Sequence, residues 1–140
     1  MGFLRASCPG PPVVCGTHEA GLALFVLGTG LALWAGHDLI VQGQGTPFPL
    51  DPTTELVTGG AYRYVRNPQA VAMTLMVTGE VVALSAPRLW LTLPLLVVFL
   101  EGLARPWEHR QLLETYGEHY VRYWESVPRW LPRRSRWLRR

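Results

Sequence analysis

The sequence predicts an all-α integral membrane bundle, with three transmembrane helices followed by a C-terminal interfacial helix. Two observations carry this prediction. The 140 residues are 49% hydrophobic and only 16% charged, below the roughly 25% charged residues of soluble domains. Three apolar stretches stand out, at 20–40, 69–86 and 89–104, and the third contains LWLTLPLLVVFL without a charge or an amphipathic stripe. Such a helix is apolar all round and has to be buried, yet a chain this short has too little other material to bury three of them.

Each element follows in turn. Within the N-terminal segment 1–19, the Gly10-Pro11-Pro12 run interrupts any continuous apolar region, which argues against a cleavable signal peptide. Cys8 and Cys15 are the only cysteines; their spacing fits neither a CxxC pair nor a zinc site, so no metal is expected. The span 20–40 has the roughly 20 residues that a bilayer core requires. The connection 41–68 is rich in Gly, Pro and Thr, and loops of this length in a compact domain are usually functional or disordered. Its Gly43-x-Gly45 lacks the third glycine and the preceding strand of a dinucleotide fingerprint. Any nucleoside ligand here binds without a Rossmann fold.

The spans 69–86 and 89–104 lie near or below the lower limit of about 17 residues, which predicts tilt, local thinning or extension into the interface. Ser85-Ala86-Pro87-Arg88 is a turn signal, because Pro87 restricts its predecessor and cannot continue a helical ladder. The two spans are therefore an antiparallel hairpin, and the polar blocks on either side of it share one face of the membrane. All thirteen basic residues are Arg, and nine of them lie at or beyond Arg105. By the positive-inside rule, the loop 41–68 and the tail 105–140 are cytoplasmic. The chain is expected to be multi-pass in a cell membrane of the bacterial inner-membrane type.

Tyr62, Arg63, Tyr64, Arg66 and Asn67 gather aromatic faces, guanidinium groups and an amide before a helix that opens with Pro68. Pro suits the first helical position, and the unpaired N–H groups there suit an anion; an aromatic and basic headgroup anchor is the alternative. Glu108 and His109 follow the third span. Glu108 is placed to hold an ammonium or hydroxyl of a ligand, or to pair with Arg105 three residues earlier. Glu80, inside an apolar span, is expected to face the bundle interior with a partner, although His37 and Asp38 lie at the wrong depth to supply one. Tyr116, Tyr120, Tyr123 and Trp124 recur at three- and four-residue spacing, as in an interfacial helix or a cap over a ligand. The terminal RRSRWLRR reads as a segment drawn to anionic lipid, which explains the basic charge without a nucleic-acid partner.

The order of these blocks resembles the isoprenylcysteine carboxyl methyltransferase family and its phospholipid methyltransferase relatives, integral-membrane enzymes that use S-adenosylmethionine. The resemblance runs from about Gly28 to Arg133: GTPFPLDPTTELVTGGAYRYVRNP, a hairpin containing Thr78-Gly79-Glu80, Glu108, and LLETYGEHYVRYWESVPRWLP. It implies that Tyr62 and Asn67-Pro68 contact the cofactor, with Asn67 standing where many members have His. It implies that Glu108 is the first member of the family's Glu-Glu pair, His109 replacing the second, and that Arg105 lies near a substrate-orienting Arg. Arg66 and Tyr120 complete the expected cofactor set. Gln69, Ala70 and Ala72 depart from the small or Met residue, the Tyr and the Gly that usually follow Asn-Pro in the family.

Two functions are then expected to compete. One is S-adenosylmethionine-dependent methylation of a lipophilic acceptor, either an isoprenylcysteine-type carboxylate oriented by Arg105 or a lipid amine deprotonated by Glu108. The other is a catalytically degenerate membrane subunit or lipid-binding module that keeps the scaffold. Because members of the family often carry further N-terminal spans, a homo-oligomer or a partner helix is also expected.

Overall fold

The computed structural model describes residues 12–45 and 54–132, with side chains from Gly16 onward. The expectations for Cys8, the Cys15 thiol, residues 46–53 and the terminal RRSRWLRR lie outside the described residues. Among the described residues every regular element is helical: α1 (Pro12–Gly43), a 3-10 turn (Gly60–Arg63), α2 (Pro68–Leu84), a 3-10 segment (Pro87–Leu91), α3 (Thr92–Val98), a π segment (Phe99–Ala104), α4 (Arg105–Tyr116) and α5 (Glu118–Ser126). The four segments from Pro87 to Tyr116 join into one rod. That rod and Gly16–Gly43 are each long and apolar enough to cross a membrane, whereas α2 is a shorter apolar helix. With 17 residues, α2 is about 26 Å long.

The boundaries differ from the sequence expectation in one consequential place. The third apolar helix does not stop at Ala104 but runs on through the charged α4 to Tyr116. No residue between Leu91 and Tyr116 takes a left-handed conformation, so nothing local stops the rod before Gly117, whose φ of +55° breaks it. The turn before the rod is as expected: Ser85, at φ +49°, caps α2 in the left-handed region, and Pro87 starts the next segment.

α1 and α2 pack antiparallel through absent side chains. A Cβ on Gly21 would meet the backbone of Ala83 and Gly79, and one on Gly79 would meet the backbone of Phe25 and Gly21. This close approach is how helices associate in lipid, where burying apolar surface against a neighbour gains little over burying it in acyl chains. Polar ties hold the two ends of the pair: His18 Nδ1 lies 3.2 Å from the Ala83 carbonyl oxygen, and Gln69 Nε2 donates to the Ala32 carbonyl at 3.5 Å. The outer surface is oily, with Leu33, Leu91 and Leu103 each close to 70% exposed.

Glu80 departs from its expected place in the bundle interior. It is exposed, next to the buried Gly79, because the glycine occupies the helix contact and turns its neighbour outward. Asp38, considered as a remote partner for Glu80, is instead buried at the other end of α1.

Candidate functional site

The site is built at the end of the bundle where α1 finishes and α2 begins. The buried Asp38 carboxylate accepts from the Ala61 N–H at 2.8 Å and from Gln42 Nε2 at 3.2 Å. It thereby pins the 3-10 turn that carries Tyr62. Gly60 adopts φ +55°, and any Cβ there would run into the Asp38 carboxylate, so only glycine lets the turn close over the acid. From the other side, Tyr123 Oη donates to the Tyr62 carbonyl at 2.6 Å. Burial, and then the Glu108 and Asp38 charges, hold the Tyr62 hydroxyl well above the ordinary phenol range; burial raises that of Tyr123 as well.

Asn67 then joins the two polar blocks. Its Oδ1 caps α2 by accepting from the Ala70 N–H at 2.9 Å, which fixes the amide. The Nδ2 group that remains donates to Glu108 Oε2 at 3.3 Å, across 41 residues of chain. The face sharing inferred from the hairpin is thus realised as a hydrogen bond between one residue of each block. Of the two roles the sequence allows Glu108, the pair with Arg105 is not formed. Arg105 Nη1 turns back to Glu101 at 2.9 Å, one helical turn earlier, and Glu101 also accepts from Arg129 Nε at 2.7 Å and Trp130 Nε1 at 2.8 Å.

A cavity of about 330 Å³ opens beside this clasp, with Leu39, Tyr62, Asn67, Ala70, Glu108 and Tyr116 among its walls. Its lining is mainly apolar, with Arg66, Gln69 and Gln111 adding polar groups, and its size falls within the range of small-molecule sites. A smaller pocket of about 30 Å³ lies against the same wall, sharing Arg66, Asn67 and Glu108 and adding Arg105, His109, Tyr120, Trp124 and Arg129.

The expected site residues therefore divide. Tyr62, Arg66, Asn67 and Glu108 line the larger cavity, while Arg105, His109 and Tyr120 stand outside it and line the smaller one. There His109 Nδ1 lies 3.0 Å from Tyr120 Oη. Pro68 lines neither; it is fully buried at the start of α2 and acts by shaping the helix N-terminus. Sequence reasoning missed Asp38 as the anchor of the turn and Glu101 as the tie to the C-terminal strap. An isolated acid near the end of an apolar helix, upstream of a Gly-Gly pair, was the available signal for Asp38. For Glu101 the signal was an acid inside the apolar stretch 89–104, a position that calls for a partner.

The polar strap closes one wall. Tyr120, Tyr123 and Val127 are buried against Leu56, Tyr62, Leu112 and Tyr116, and the Pro128 carbonyl accepts from the Arg66 N–H at 2.8 Å. This is the folded-under position expected of a cap, with the Trp124 ring left partly exposed on the far side.

No curated protein and no solved structure matches the chain. Residues 17–119 match the phospholipid methyltransferase family, a stretch that includes the Asp38 anchor, the Gly60–Pro68 block and Glu108 and stops one residue before Tyr120. Covering well over half the sequence, this match shows that the chain belongs to the phospholipid methyltransferase family, membrane proteins whose methyl transfer is directed at lipids.

Proposed function

We infer that this protein is an S-adenosylmethionine-dependent methyltransferase whose cofactor occupies the larger cavity and whose acceptor is a lipid amine or an isoprenylcysteine-type carboxylate. The observation that carries the reading is the Asn67–Glu108 hydrogen bond, which sets one carboxylate, held by an amide, into an otherwise apolar wall. The donor set suits the cofactor. Glu108 offers a negative charge to a cation, Tyr62 and Tyr116 offer aromatic faces of the kind that hold onium groups, and Gln69 and Gln111 offer amides to polar edges. When bound, S-adenosylmethionine supplies an electrophilic methyl group on a cationic sulfur, and its transfer is an in-line displacement.

The chain's own residues then have defined tasks. The apolar lining excludes water, and the Tyr62–Tyr123 and Arg66–Pro128 bonds keep that wall closed. An amine acceptor has to lose a proton before it has a lone pair to use, and Glu108 Oε1 is the site that takes it. A carboxylate acceptor needs no base and only has to be aligned. Ala70, where the resemblance led to expect Tyr, lines the cavity, and a ring at that position would occupy the space. Its small size leaves that room to the cofactor.

In this reading α1, α2 and the rod from Pro87 cross the membrane in turn. The two longer helices span unaided, and α2 spans as the partner of α1. Arg63, Arg66, Arg105 and Arg129 then lie at the cytoplasmic end and Arg88 at the other, as the positive-inside rule requires. Isothermal titration of the protein in detergent with S-adenosylhomocysteine tests the cofactor. Binding is expected below millimolar concentration, and no heat at millimolar ligand overturns it.

A further inference from the structure

Glu80 is the one charged side chain of α2, and the candidate site does not use it. It is exposed and makes no hydrogen bond or ion pair among the described residues. The two hydroxyls of the helix are already engaged: Thr74 donates to the Ala70 carbonyl at 2.8 Å and Thr78 to the Thr74 carbonyl at 2.6 Å. α1 fixes the depth of Glu80. The adjacent Gly79 abuts the backbone of Gly21 and Phe25, inside the apolar run that starts at Ala20. The polar border of the bundle lies further out, where His18 meets the Ala83 carbonyl and Thr17 meets Ser85. Side chains of a helix lean toward its N-terminus, and the N-terminus of α2 is at the opposite end, so Glu80 leans away from the near border. A carboxyl group at that depth on a lipid-facing surface calls for a partner.

Glu80 also lies on a stripe. Met73, Val77, Glu80 and Leu84 recur at steps of four, three and four residues, the spacing that keeps one face of a helix against a neighbour. α1 covers a different face, through Ala72, Met76, Gly79 and Ala83. The rod leaves the stripe open, with Met73 43% and Leu84 65% exposed. Acyl chains cover the three apolar members as well as protein does, because lipid is as apolar as they are, but they offer nothing to a carboxyl group. The occupant therefore has to supply a hydrogen-bonding group at the depth of Glu80 and apolar side chains on either side of it.

We propose that the occupant is a second copy of this chain, packed in parallel about a two-fold axis along the stripe, with the two Glu80 carboxyl groups sharing a proton across the axis. Copies inserted in the same orientation bring equal residues to equal depth, so an isologous contact sets each stripe residue against itself. A carboxyl group is its own complement once one of the pair carries a proton, since it then donates as well as accepts. Side-chain hydrogen bonds of this kind join helices in lipid. Arg88 is exposed and has no ion pair among the described residues. It stands just beyond the turn at the outer end of the seam, so each copy also brings a cation near the charge that remains. At its other end the stripe reaches Met73, a wall residue of the larger cavity, which places the second copy beside the site. The inference rests on the reading of α2 as a membrane-crossing helix and is independent of the cofactor.

The test is sedimentation equilibrium of the detergent-extracted full chain in density-matched micelles. A dimer is expected. Glu80→Ala is expected to weaken self-association at least tenfold, and Glu80→Gln, whose amide also donates and accepts, less than threefold. Glu19→Gln, at an exposed acid of α1 off the stripe, should leave it unchanged. Oxidative cross-linking in the native membrane is the second readout. With Cys8→Ser and Cys15→Ser as background, Leu84→Cys should give a disulfide-linked dimer, and Leu22→Cys, exposed on α1, should not. A monomer at every protein-to-detergent ratio overturns the proposal, as does self-association indifferent to Glu80→Ala or cross-linking through Leu22→Cys in place of Leu84→Cys. A cross-linked product of any mass other than twice that of the chain assigns the stripe to a different partner and sinks the idea as well. A monomer that binds S-adenosylhomocysteine overturns the dimer alone, whereas a dimer that does not bind it retains the seam and overturns the cofactor reading. Recovery of the chain in the soluble fraction overturns the membrane reading, and the dimer with it.

Discussion

The α1–α2 pair and the clasp at its end are neighbours held together by opposite means. Along the pair, Gly21 and Gly79 bring two backbones into contact, and specificity comes from side chains that are missing. In the clasp, Asp38, Asn67, Glu108, Glu101 and Tyr123 each reach a partner far away in sequence, 23 residues from Asp38 to Ala61 and 61 from Tyr123 to Tyr62. The pair has no slack, because backbone cannot move aside. The clasp can lose one bond and keep the rest. The pair is therefore expected to fail as a unit under substitution, and the clasp by degrees.

Substitutions can break or sharpen that contrast. The largest effect is expected from Gly21→Leu, which drives a side chain into the Ala83 backbone. Overpacking costs about 1–3 kcal/mol and occasionally more, and here no flexible neighbour can yield. Monodisperse, folded protein should be lost on size-exclusion chromatography in detergent. A Gly21→Leu protein that elutes and melts like the parent would show that the helices are not held by close approach.

Glu108→Gln comes next and acts on chemistry rather than on folding. With the amide able to keep a hydrogen bond to Asn67, the melting temperature should change little. Methylation of an amine acceptor should fall about 10²-fold or more, the scale of general-base contributions. An unchanged rate would remove Glu108 as the base. Third is Asp38→Ala, which leaves the buried Ala61 N–H without an acceptor at a cost of about 1–3 kcal/mol. Thermal melting should register the loss, and Asp38→Asn, which keeps an acceptor oxygen, should recover most of it. If Asn recovers nothing, the charge and not the hydrogen bond holds the turn. The smallest effect is expected from Tyr123→Phe, which removes the bond to the Tyr62 carbonyl while keeping the buried ring. A net hydrogen bond contributes about 1 kcal/mol, so a drop of a few degrees in melting temperature is expected, with S-adenosylhomocysteine affinity reduced less than tenfold.

Much of the scaffold is legible in the sequence. Pro68 after Asn67 marked a helix start, and the structure has Pro68 opening α2 with Asn67 as its cap. Ser85 to Arg88 marked a turn, and the chain reverses there. The helix-pair contact is also written in the sequence, as small residues seven apart at Gly21, Gly28 and Ala35 and at Ala72 and Gly79, a spacing to which hydropathy is blind.

By itself the sequence determined the helical, apolar character of the chain, the sites of its caps and turns, and the meeting of the Gly60–Pro68 block with Glu108, because these depend on neighbours along the chain and on a hairpin's return. Only the tertiary structure decided which partner each polar group takes. Arg105 is within helical reach of both Glu101, four residues before it, and Glu108, three residues after it; it goes to Glu101 because Arg129 and Trp130 hold that carboxylate in place while Asn67 engages Glu108. The split into a mainly apolar cavity and a smaller pocket lined by Arg66, Arg105 and Arg129 was decided in the same way. Partner choice among like residues is a matter of distance and desolvation in three dimensions, and neither is written in local spacing.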